Sequence, residues 1–175
     1  ESFVPRAFSV THINLTHRNW TAVGLPDCDQ YPIVDPRGLL TPHWDGWSLD
    51  AWILREGGSD LIPSRRADVA QELLSEHGLS VRTCATLDGA RIVSSAFVEA
   101  NGVRPEVAWS IQARSQSSGL LVISARPYNP EGVSFIEEMS INEDGRLWNV
   151  DGQKVLFDTS PDESFSSDYQ SGDVF

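Results

Sequence analysis

Apolar and polar residues change places over short runs through most of this chain, and turn-forming residues recur roughly every 8 to 12 positions. Residues 8–15, from Phe8 to Leu15, carry this interchange and predict a strand with one buried face. A shorter apolar run over 49–54 contains Trp52. Residues 79–87 and 91–98 flank Asp88-Gly89, a strong tight-turn signal for a hairpin. A second predicted pair, 107–114 with 120–126, is joined across residues 115–119. A third, 133–141 with 146–150, turns at Glu143-Asp144-Gly145, and Asp151-Gly152 then turns into 155–157. Hairpins in series at this spacing predict an all-β fold, a large antiparallel β-sandwich with at most one short helix.

Three segments depart from that pattern. Ser64 as cap and Gly78 as stop frame a helix over 65–77, with Val69, Ala70, Leu73 and Leu74 on one face. A strand pairing with 79–87 through the Glu76-His77-Gly78 turn is the competing reading, and the helix is preferred. Between 25 and 46 the chain is rich in Pro, Asp and Gly. Pro26, Pro32, Pro36 and Pro42 oppose regular ladders there, so this stretch reads as a long irregular loop. Beyond Phe157 the composition turns to Ser and Asp, with Phe165 and Tyr169 as isolated aromatics. The division expected is a sandwich domain over 1–157 and an acidic tail, or the start of a linker, over 158–175.

Composition narrows the ligands. The chain has 175 residues, 13 basic against 25 acidic side chains, and a formal charge of -12. No Lys/Arg stripe answers a phosphate backbone, so neither nucleic acid nor an anionic membrane is expected as a partner. No apolar stretch approaches the roughly 18 residues of a membrane helix, and residues 1–20 lack the charged and apolar regions of a signal peptide. The start at Glu1 and the single Met139 suggest an excised or processed piece. Cys28 and Cys84 read as two separate thiols of a reducing cytoplasm rather than a disulfide.

The densest candidate chemistry lies over 41–52, where Trp44, Trp47 and Trp52 interleave with Asp45 and Asp50. Aromatic faces stack on sugar C–H patches while carboxylates take hydroxyls, which suits a carbohydrate surface. The competing reading makes these tryptophans anchors at a sandwich corner or domain interface. A glycosidase pair drawn from Asp45, Asp50, Glu137 and Glu138 has no spacing to support it. His12, His17 and His43 with Asp27, Asp29, Asp35 and Asp45 could supply metal ligands, yet no ligand spacing is recognisable, so neither metal nor cofactor is expected. No Gly-x-Ser-x-Gly elbow and no phosphate-cradling glycine loop occur. The sharpest local signature is Arg126-Pro127-Tyr128-Asn129-Pro130-Glu131-Gly132 at the end of an apolar strand. It is either a pinned loop presenting Arg126, Tyr128 and Asn129 to a ligand or neighbouring domain, or a structural corner.

That strand ending in Arg-Pro and Asn-Pro-Glu-Gly resembles the N-terminal β-domain of bacterial glycogen-debranching and glucoamylase-like glycoside hydrolases. The segment from Trp44 to Trp52 and the closing Ser171-Gly172-Asp173-Val174 are similar to it as well. The resemblance implies a super-sandwich of the galactose-mutarotase type that packs on a catalytic (α/α)6 barrel of the same polypeptide. It further implies that the chain itself is non-catalytic, and that Trp44, Asp45, Trp47, Asp50, Trp52, Arg126, Tyr128 and Asn129 contact oligosaccharide or the barrel. Two other classes stay open: a stand-alone lectin-like module, and an interaction sandwich with no sugar function.

Overall fold

The computed structural model describes residues 19–28, 31–76, 78–100, 105–168 and 170. The strand expected over 8–15, His12, His17, Asp29, Tyr169 and the closing Ser171 to Val174 lie outside the described residues. In chain order the strands are β1 (Thr21–Ala22), β2 (Ile33–Val34), β3 (Leu40–Thr41), β4 (Ser48–Arg55), β5 (Ala70–Leu74), β6 (Ser80–Leu87) and β7 (Ala90–Glu99). They continue with β8 (Glu106–Arg114), β9 (Gly119–Arg126), β10 (Tyr128–Asn129), β11 (Gly132–Val133), β12 (Met139–Ile141), β13 (Leu147–Val150) and β14 (Gln153–Leu156).

These strands build an all-β antiparallel sandwich. One sheet has the order β1-β2-β3-β4-β9, and the facing sheet the order β5-β6-β7-β8. Alternation along each long strand decides what lies between them. Leu49 and Ile53 of β4 meet Val81 and Ala85 of β6 and Ile92, Ala96 and Val98 of β7, in two apolar clusters. The three-stranded sheet β12-β13-β14 closes one end by adding Trp148 and Val150 to the larger cluster. A bridge between Gly24 and Leu79, with both backbone bonds made, fastens the β1 side of the first sheet to the start of β6.

The hairpin signals at Asp-Gly pairs hold. Asp88 (φ 44) and Gly89 (φ 79) link β6 to β7, and Asp151 (φ 49) and Gly152 (φ 78) link β13 to β14. Positive φ at both central residues matches the right-handed twist of the strands they join.

Other expectations fall to longer-range pairing. The helix over 65–77 does not form. A single 3-10 turn at Pro63–Arg65 ends where Arg66 turns extended (φ -111, ψ 148), and residues 70–74 pair with β6 as an edge strand. The stripe that predicted the helix is divided: Val69 packs on the smaller cluster and Leu74 is half-buried, but Ala70 is exposed and Leu73 is 59% exposed. A short isolated helix is marginal without fuller burial, whereas five ladder pairs to β6 satisfy the backbone at once.

Strands β8 and β9 are consecutive but do not form a hairpin. β8 pairs with β7, while β9 crosses to the opposite sheet and pairs with all eight residues of β4. Gly119 permits that crossing, because a Cβ there would lie 2.2 Å from the Leu54 carbonyl oxygen. The proline-rich stretch is less irregular than its composition suggests. The two-residue strands β2 and β3 fit between the prolines, and proline confines them to that length. In the third hairpin only Met139–Ile141 joins the ladder, because Gly132–Val133 folds back onto Tyr128–Asn129.

Candidate functional site

Of the eight residues singled out in the sequence, six lie inside the protein. Trp47, Asp50, Trp52, Arg126, Tyr128 and Asn129 are all buried, and only Trp44 and Asp45 face solvent. The β4–β9 register explains the first group. Ser48 stands opposite Arg126, Asp50 opposite Ser124 and Trp52 opposite Val122, so these side chains share one face of the first sheet. Trp47 instead enters the main apolar cluster beside Leu40 and Leu49.

Arg126 has no exposed surface. Its guanidinium carbon sits 5.4 Å from the ring centres of both Trp52 and Tyr128, where the aromatic faces stabilise the buried cation. Asp50 lies in the same layer, near enough to feel the Arg126 charge. Burial pushes its carboxyl above the usual carboxylate range, opposed by the Trp52 indole, the Ala51 amide, the Arg126 charge and the Ser64 hydroxyl. Oδ1 accepts the Ala51 amide at 2.9 Å, while Oδ2 is buried without an aligned hydrogen bond, so the nearby donors help the ion without fully satisfying it. The void beside Asp50, bounded also by Arg37, Thr83 and Ser94, is about 10 Å³, room for about one water. Among the described residues Asp50 is only 3% exposed.

A second carboxylate, unmarked in the sequence beyond its place in Asp35-Pro36-Arg37-Gly38, supports the same layer. Asp35 Oδ1 accepts the amides of Arg37 (2.8 Å) and Leu39 (2.9 Å), closing a turn that the positive φ of Gly38 completes. Desolvation raises its pKa to about 6 against those two bonds, with Asp50 adding to the rise and the Arg37 charge opposing it. Arg37 in turn donates to the Ser64 carbonyl at 3.1 Å, which ties the turn to the 3-10 segment. The Arg126-Pro127-Tyr128-Asn129 signature is therefore a structural corner and not a presented loop. Asn129 Nδ2 donates to the Gly46 carbonyl (2.8 Å), and its Oδ1 accepts the amides of Glu131 and Gly132.

That corner carries the exposed aromatics. Asn129 anchors the turn that presents Trp44, which is 45% exposed, and the Ser134 hydroxyl reaches the Asp45 carbonyl at 3.4 Å. Trp20, 41% exposed, donates its indole N–H to Glu131 at 2.6 Å, and Phe135 is exposed beside Ser134. His43 stacks on Trp44 with ring centres 6.3 Å apart, and its Nδ1 meets Asp45 Oδ1 at 2.5 Å. Trp44, Trp20 and Phe135 thus project from segments hydrogen-bonded to one another. Sequence reading singled out only Trp44 of these, because Trp20 and Phe135 are distant in the chain and join it only through the corner.

The remaining candidates do not converge. The amides of Glu137 and Glu138 both bond Asp151 Oδ1, and no contact of either with Asp50 occurs among the described residues. No group of three metal-ligating side chains occurs among the described residues. Cys28 and Cys84 are not joined to each other.

Fold and site together define an antiparallel β-sandwich with a buried ionic layer behind an aromatic end. No family model, no curated protein and no solved structure matches the chain.

Proposed function

We propose that this chain is a non-catalytic accessory β-sandwich of a carbohydrate-active enzyme, and that it makes its contact through the Trp44 end. The observation that carries this reading is the exposure of Trp44, Trp20 and Phe135 on segments held together by Asn129, Glu131 and Ser134. Flat aromatic faces beside carboxylates favour the C–H and hydroxyl surfaces of a sugar. A non-catalytic role agrees with the inaccessibility of Asp50 and the dispersion of the other acids. A second reading, docking of the same end onto a neighbouring protein domain, is favoured by one detail. Glu131 and Asp45 already have intramolecular partners in Trp20 and His43, which leaves fewer polar groups for hydroxyls.

Titration of the chain with malto-oligosaccharides, followed by tryptophan fluorescence and calorimetry, tests the proposal. Binding that Trp44→Ala weakens at least about tenfold, roughly 1.4 kcal/mol, is the expected result. An intact fold that ignores every glycan on an array would remove the saccharide reading. Docking would then be tested with the catalytic domain.

A further inference from the structure

β8 ends the four-stranded sheet and β9 the five-stranded one, and only residues 115–118 separate the two strands in the chain. Among the described residues nothing pairs with the outer side of β8. The strand runs 9 residues against β7 one for one, with no bulge, no proline and no lysine. Those are devices with which natural sheets blunt an edge against pairing with another chain. Its core-facing side is only partly covered as well. Val107 is 39% exposed, and Trp109, Ile111 and Ala113 are half-buried, whereas their ladder partners Val98, Ala96, Ser94 and Ile92 on β7 are all buried.

The charges of β8 stand at its two ends, Glu106 first and Arg114 last, at equal distances along the strand from Ser110. Neither belongs to an ion pair among the described residues. Each meets a like charge across the β7 ladder, Glu106 opposite Glu99 and Arg114 opposite Arg91. The opposite charge that would complement each end is therefore found at the other end of the same strand.

We propose that β8 pairs edge to edge with β8 of a second copy of this chain, antiparallel about a twofold axis at Ser110. In that register Glu106 of each copy falls opposite Arg114 of the other. Trp109 falls opposite Ile111 and Val107 opposite Ala113, so the core-facing side of the joined strands is apolar throughout. Opposed residues of an antiparallel pair share a face, which lets the charged and the apolar positions match at once. A slip of two residues in either direction loses both charge pairs. A twofold contact needs one self-complementary patch, and β9 lacks one, since its single charged residue, Arg126, is fully buried. The net charge of -12 on each copy opposes association. Salt near 0.15 M, with a screening length of about 8 Å, damps that repulsion more than it damps adjacent pairs. The contact is independent of what the Trp44 end binds.

Sedimentation equilibrium of the whole chain at about 0.15 M sodium chloride, with protein up to about 1 mM, measures the pairing. The expected result is a monomer–dimer equilibrium whose Kd rises at least about tenfold in Glu106→Arg and in Arg114→Glu. Each change sets like charges across the twofold but removes a like-charge pair from its own ladder, so the thermal midpoint of the dilute monomer should not fall. The two variants mixed in equal amounts should dimerise as the parent does, because opposite charges face each other again. A parent that stays monomeric would overturn the proposal and leave the edge to a different chain or to a further segment of this one. So would a dimer that either variant leaves unmoved, or weakened dimers that mixing does not restore, since the contact would then lie elsewhere.

Discussion

Replacing Asp35 with Asn tests the buried ionic layer directly. The folded pKa of about 6 stands above the ordinary 3.8, so between those values the folded chain holds a proton that the unfolded chain has released. Stability contributed by this group is therefore greatest where the carboxyl is protonated, and is lost as pH rises from about 4 through 6. At 1.36 kcal/mol per pH unit the interval amounts to about 3 kcal/mol. This is an upper bound, since Asp35 as a whole residue is only half-buried and solvent screens part of the cost.

Asparagine keeps the Oδ1 acceptor that serves the Arg37 and Leu39 amides but never ionises. The variant should match the parent near pH 4 and exceed it by up to about 3 kcal/mol at pH 7.5. That gain is a rise in Tm of roughly 6 to 12 °C for a chain of this size. Urea unfolding of both proteins at pH 4.5, 6 and 7.5 gives the difference free of the background from the other 24 acids. A difference that does not change with pH, or a less stable variant at pH 7.5, would refute the account of Asp35.

The remaining predictions concern the corner and the crossing. Arg126→Met should destabilise by about 1–3 kcal/mol, because it removes a charge that favours the ionised Asp50 carboxyl and leaves that buried group to take up a proton with no partner for it, and urea midpoints measure this. Asn129→Ala removes three hydrogen bonds and should cost about 2–3 kcal/mol, with proteolysis accelerated first in the 43–46 turn. Gly119→Ala should lose more than about 2 kcal/mol by calorimetry, since the new Cβ meets a backbone carbonyl that has no room to yield. Trp44→Ala should change stability by less than about 0.5 kcal/mol, which makes it a clean probe of binding.

What the sequence determined by itself was local. Asp88-Gly89 and Asp151-Gly152 announce hairpins because a two-residue turn depends on the backbone freedom of its own residues and on little else. The all-β class followed from period-two patterning, which survives wherever one strand face is buried. Even the short length of β2 and β3 is a consequence of proline within the segment. The sheet to which β9 belongs depended on β4, some seventy residues earlier, which pairs with β9 along its whole length while β8 pairs with β7. The helical stripe of Val69, Ala70, Leu73 and Leu74 is covered only in part, so a free edge on β6 outweighed propensity. Trp44 and Trp47 are three residues apart and identical in type, yet one is exposed and the other is core. Their fates divide at the Gly46 turn, which Asn129 holds in place from 83 residues further along the chain. Burial is a property of what arrives from elsewhere in the chain, and only the tertiary structure decides it.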